Sequence, residues 1–203
     1  MNKYDCLFSR IRNNCRRGSR HRILFLDFDG VINVPYAPGT PEFEKAMQGL
    51  TDDFFRPEMV KRINCLCQEY GLSVVITSSW RYSGMHYCID HLFRAGFDQR
   101  IAIEGMTDIN DPLFRREEEI YRYLRGAKDV GAFLILDDIP MEFLGDYAVC
   151  TDFEIGYDET CDKRARDLLE AMIHPGSAVT MQAWDTMLEW TGTILSELKE
   201  GHL

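Results

Sequence analysis

Strand-like and helix-like patterns alternate along this chain, and that alternation limits the fold more than any other feature. Residues 23–26 form a short apolar, branched run that stops abruptly at Asp27-Phe28-Asp29-Gly30, which reads as a buried strand ending in a turn. Further strands are expected at 72–76, 101–103, 130–136 and 147–150. Between them, Val60, Ile63, Cys67 and Tyr70 recur at helical spacing, with Pro57 suited to the first turn and Gly71 to the end. Helices are also expected over about 84–95, after Asp111-Pro112 with Ile120 and Leu124 on its buried face, and over 162–174. The last presents Ala165, Leu168, Leu169, Met172 and Ile173 on one side. Strands alternating with helices imply right-handed crossovers and a mainly parallel sheet covered on both faces, a Rossmann-like α/β three-layer sandwich.

Sheets of this kind bind ligands beyond the carboxyl ends of their strands. Three expected strand ends carry polar clusters: Asp27 and Asp29, Thr77 and Ser78, and Asp137 and Asp138. If these strands are neighbours, the clusters converge. In an extended chain the two-residue spacing of Asp27 and Asp29 turns both carboxylates to one side. Acids so close repel unless a cation or proton intervenes. An all-oxygen donor set favours a hard ion such as Mg²⁺. Taken alone, D-x-D-G is also a common surface turn, but burial behind an apolar strand makes unpaired charge costly.

The segments LFLDFDGVIN, VVITSSWR, FRREEEI and FLILDDI, in that order, resemble the four motifs of the haloacid dehalogenase (HAD) superfamily. Within it, the D-G-V-I-N and S-S-W-R forms resemble HAD domains of multifunctional RNA-repair proteins and polynucleotide-phosphatase-like relatives. The likeness spans about residues 22–173. It implies that Asp27 is a nucleophile forming an aspartyl-phosphate, and that Asp29 is the general acid and base. It also implies Mg²⁺ held by Asp27, the main chain of Asp29 and Asp137, with Asp138 close by. Gly30 would permit a tight turn beside the phosphate, and Thr77 or Ser78 would donate to the phosphoryl group. Arg116 is the first choice for the cation of the third motif, Arg115 the second, and Lys128 lies far along the helix. Arg81 would hold a phosphate at the rim. Trp80 either stacks on a base or packs under the following helix. No role falls to the five histidines.

Cap domains of this superfamily are inserted after the first motif or between the second and third. Only 47 residues lie between Asp29 and Thr77, and a helix and a strand occupy part of them. A large cap is therefore not expected, and a loop-rich flap at 33–56 would be the only screen over an open site. An open site suits a phosphate on a large molecule, so a nucleic-acid end or a nucleotide is the expected substrate. A small phosphoester, or a non-catalytic scaffold role, are the alternatives.

The formal net charge of −10 argues against coating nucleic acid by bulk charge. Charge is uneven, however: residues 1–22 hold seven Lys or Arg and only Asp5 as an acid. This stretch is either a solvated tail or an arm for a polyanion. It lacks the apolar core of a secretory signal, and no apolar run approaches a membrane span. Seven cysteines with no C-x-x-C spacing read as reduced core thiols, hence a cytoplasmic protein. The domain reading is a basic extension at 1–22, a HAD-like domain at 23–175, and an amphipathic helix at 176–203. That last helix either docks on the domain or forms a homodimer or partner contact.

Overall fold

The computed structural model describes residues 3–48, 54–108 and 115–174. Its elements run α1 (Lys3–Arg16), β1 (His21–Leu26), α2 (Pro41–Met47), α3 (Pro57–Tyr70), β2 (Leu72–Ile76), α4 (Met85–Arg94), β3 (Ile103–Met106), α5 (Arg116–Gly126), β4 (Val130–Asp137), β5 (Ala148–Cys150) and α6 (Glu159–Ile173). The five strands lie in the order β3-β2-β1-β4-β5, and every pair is parallel. The chain builds outward from β1 to β3, then returns to the other side of β1 with β4. The strand order therefore reverses between β1 and β4, the place where parallel sheets open a crevice.

Side-chain alternation along the central strands feeds two cores. Leu24 and Leu26 pair in register with Val74 and Ile76 on one side and with Leu134 and Leu136 on the other. These six face α3, α4 and α6 through Val60, Ile63, Leu66, Leu92, Ala165 and Leu169. Ile23, Phe25, Val75, Phe133 and Ile135 face the opposite layer, made by α1 and α5. Strands buried on both faces read as continuous apolar runs, which is why they stand out in the sequence.

The N-terminal stretch differs from the tail or arm expected at 1–22. It folds as α1, with Tyr4, Leu7 and Ile11 buried against Phe133, Ile120 and Leu124. Several of its charges serve the fold: Lys3 pairs with Glu118, and Arg10 donates to the carbonyls of Leu124 and Arg125 at the end of α5. Arg22 donates to the Tyr70 carbonyl at 2.8 Å, where Gly71, at φ 63°, closes α3. β1 accordingly starts at His21 rather than residue 23.

Smaller differences concern boundaries. β3 lies at Ile103–Met106, not 101–103, because Val74 pairs with Ile103 after Ala102 has already accepted its N–H. The expected cap at Asp111-Pro112 lies outside the described residues, and α5 starts at Arg116. The flap contains the seven-residue α2, whose N-cap Thr40 accepts from Phe43 N at 3.2 Å and which buries no residue. Among the described residues no helix is long and apolar enough to cross a membrane. The amphipathic segment at 176–203, and the dimer contact read from it, lie outside the described residues.

Candidate active site

β1 and β4 end side by side, so Asp27 and Asp137 meet at the crevice. Asp27 N donates to the Leu136 carbonyl at 3.0 Å, which fixes the first acid against the end of β4. Asp27, Asp137 and Asp138 each bring a carboxylate oxygen into a group whose members all lie within 4.8 Å of one another. Asp27 and Asp137 are buried, at 4% and 1% exposure. Burial pushes the Asp137 carboxyl up to about 7; Arg116 pulls it down and Asp27 pushes it further up. Burial and then Asp27 push Asp138 up as well. Three acids crowded together, two of them buried, resist ionising together without a cation.

Arg116, the first residue of α5, supplies one such charge. Its Nη1 lies 2.7 Å from Asp137 Oδ2, 3.2 Å from Asp27 Oδ1 and 3.2 Å from Thr77 Oγ1. Burial opposes its charge, but the carboxylates of Asp27 and Asp137 outweigh that and hold it up. Of the three candidates for the basic residue, only Arg116 reaches the acids. Arg115 is exposed and pairs with Glu142 at 3.6 Å, while the Lys128 carbonyl accepts from Asn14 beyond the far end of α5.

The carboxylate of Asp29 stands apart from this group, contrary to the same-side expectation. β1 ends at Leu26, so the two acids do not sit on an extended strand. Asp29 instead accepts from Trp80 Nε1 at 3.0 and 3.1 Å and from Asn33 Nδ2 at 2.6 Å. Sequence reasoning missed both donors, although Asn33 belongs to the same D-G-V-I-N motif. Trp80 packs with Phe28, Phe54, Phe55, Tyr87 and His91, so its ring belongs to an aromatic cluster reaching onto α4. This is the packing alternative, with Asp29 as the indole's polar partner.

Gly30 has a more specific reason than a tight turn. At φ 69°, a Cβ built there would lie 2.7 Å from Asp138 Cβ and 2.9 Å from its Oδ2. The glycine is what lets the β1 loop and the β4 acids approach. The loop is tied down again where Thr151 Oγ1 donates to the Gly30 carbonyl at 2.7 Å.

At the end of β2, Thr77 and Ser78 are both fully buried but differ in use. Thr77 Oγ1 faces Arg116, whereas Ser78 Oγ accepts from Trp80 N at 3.3 Å and caps a short 3-10 helix at Ser79–Ser83. Arg81 requires a correction. It is 2% exposed, not at a rim. Its guanidinium pairs with Glu119 at 2.7 Å and donates to the carbonyls of Thr77 and Ser78. With its charge matched by Glu119 and Nη1 turned to the end of β2, while Nε stays buried without a partner, it braces the site rather than sitting at a rim to receive a phosphate. Glu119 was not anticipated. It also accepts from Thr107 Oγ1 at 3.4 Å and lies 3.9 Å from Arg116 Nε, joining the two arginines in one buried network.

The donor set suits a small hard cation. Three carboxylates converge, and buried Asp27 Oδ1 receives no hydrogen bond of normal geometry despite the nearby arginine. The fold and site together define an α/β protein with a carboxylate cluster at the switch point of a parallel sheet. More particularly, the chain belongs to the HAD superfamily: the family described as "HAD domain in Swiss Army Knife RNA repair proteins" matches residues 23–160, more than half of its length. Comparisons with curated proteins and with solved structures gave no match.

Proposed function

We propose that this protein is a Mg²⁺-dependent phosphatase that hydrolyses a phosphomonoester on a nucleic-acid end or nucleotide. The reading rests on one observation: Asp27, Asp137 and Asp138 share a buried site with Arg116 and Thr77 where β1, β2 and β4 end. Membership of a family described from RNA-repair proteins supports the substrate class.

In this reading the phosphoryl group sits between Asp27, Thr77 and Arg116. Asp27 attacks phosphorus, an Asp27 O–P bond forms, and the ester P–O bond breaks. Asp29 gives its proton to the departing oxygen. Asp29 then takes a proton from water, whose oxygen attacks phosphorus and breaks the Asp27 O–P bond, releasing phosphate. Trp80 and Asn33 hold the Asp29 side chain in place through both steps. Arg116 offsets negative charge on the phosphoryl oxygens, and the Thr77 hydroxyl, an acceptor toward Arg116, has its own proton to donate to them. Asp27, Asp137 and Asp138 would hold Mg²⁺, which would lower the repulsion between an anionic nucleophile and an anionic phosphate. All seven cysteines are free thiols, which supports action in a reducing compartment such as the cytoplasm.

The test is a kinetic panel with Mg²⁺. Oligonucleotides with 3′- or 5′-phosphates should exceed a small aliphatic phosphoester in kcat/KM. Asp27→Asn should lower kcat by about 10⁴-fold or more while the protein stays folded. Activity retained in folded Asp27→Asn would overturn the nucleophile assignment.

A further inference from the structure

An aromatic groove opens beside the site, and none of its aromatic side chains is used by the steps above. It has a volume of about 330 Å³ and is lined by Asn33, Tyr36, Phe43, Met47, Phe54 and Phe153 among others. That size lies at the lower end for pockets that hold small organic ligands. Its wall is made by α2 in an unusual way. Phe43, Ala46 and Met47 stand at the i, i+3 and i+4 positions of one face, yet α2 buries no residue. Its apolar face is thus turned to the groove and not to the core. Phe153 and Phe54 remain 52% and 38% exposed. Tyr36 is held from one side by Arg56, whose Cζ lies 3.5 Å from the ring centroid.

The groove is continuous with the chemistry through Asn33. This side chain lines the groove and also donates to Asp29 at 2.6 Å. An occupant would begin one side chain beyond the proposed acid. A nucleotide carries its base one sugar away from the phosphate, on the side where Asn33 joins Asp29 to the groove.

We infer that the groove of Tyr36, Phe43, Phe54 and Phe153 is a nucleobase site, holding the base of the terminal nucleotide whose phosphate lies at Asp27. The inference rests on the phosphoryl-transfer reading for the position of the phosphate, and it supplies that reading with a substrate contact. Flat apolar rings accept any base face, so the site selects for the presence of a base more than for its identity. Trp80 is not the platform: it does not line the groove, and its partly buried ring packs against Phe28, Phe54, Phe55, Tyr87 and His91.

Two measurements separate this inference from the one beneath it. The first compares kcat/KM, with Mg²⁺, for adenosine 3′- and 5′-monophosphate against ribose 5-phosphate, which lacks the base. The second titrates adenosine alone and follows its NMR signals, which needs no chemistry. The better adenosine monophosphate should exceed ribose 5-phosphate by about 5- to 150-fold, the range expected for stacking one base. Phe43→Ala and Phe153→Ala, both at surface positions and checked for unaltered thermal unfolding, should each shrink that ratio and weaken adenosine binding. Adenosine binding lost in both variants, with neither of these phosphates nor a 3′- or 5′-phosphorylated oligonucleotide hydrolysed, would leave the base site standing and overturn the phosphatase reading. Equal kcat/KM for the two phosphates without adenosine binding would overturn the base site alone. So would O-phosphotyrosine exceeding adenosine monophosphate, or variants that change only self-association.

Discussion

Gly30 shows how a single residue decides whether the acids can meet. A methyl group there would overlap Asp138 and would sit at φ 69°, in the left-handed region. Gly30→Ala should destabilise the protein by about 1–3 kcal/mol and lower kcat/KM at least tenfold, as read from denaturant unfolding and steady-state kinetics. The role of this glycine was legible as "tight turn" from D-x-D-G, but its neighbour was not. Asp138 is over a hundred positions away, and only the parallel pairing of β1 with β4 brings it there. Arg81 misled for a related reason. An arginine after a strand end resembles an anion ligand, and nothing local reveals that Glu119, on another element, already matches its charge.

At the scale of elements, the network through Glu119 ties the start of α5 to the end of β2. Burial pushes the Glu119 carboxyl up, with Arg81 and Arg116 pulling against it. Removing its charge leaves Arg81 buried with carbonyls alone. Glu119→Gln should therefore cost about 3 kcal/mol of stability, measured by urea or guanidinium unfolding. A second element, α1, belongs to the sheet's cover and not to a mobile extension. Leu7 is 5% exposed and packs in the layer of Phe133, Ile120 and Leu124. Leu7→Ala should destabilise by about 2–4 kcal/mol, whereas a detached arm would show no change. Tyr4, Leu7 and Ile11 do lie at helical spacing, but the seven basic residues around them dominate the pattern of the sequence. Four of those charges, Lys3, Arg10, Arg12 and Arg16, lie on α1, where Lys3 and Arg10 serve as partners for α5.

For the whole molecule, the chain order of strands and helices carried most of the architecture. The central strands, buried on both faces, make short apolar runs between helical patterns, and their polar ends do converge. What the runs do not encode is the order 3-2-1-4-5, which places the switch point between Asp27 and Asp137. The formal charge of −10 takes on a different meaning in this frame. Glu119, Asp27 and Asp137 pair with Arg81 or Arg116, and Asp27 and Asp137 join Asp138 in the cluster proposed to hold the cation. The groove beside α2 was also out of reach of sequence, because Phe43 and Phe153 are brought together only by the fold.

Asp27 is proposed to carry the phosphoryl group during turnover. That role is tested most directly by mixing the protein with Mg²⁺ and a phosphorylated oligonucleotide, quenching in acid during turnover, and reducing any acyl phosphate with borohydride before peptide mass spectrometry. The expected product is a reduced side chain at position 27, formed only when substrate is present. Continued turnover with no reduced carboxylate, or reduction at another aspartate, would contradict that role.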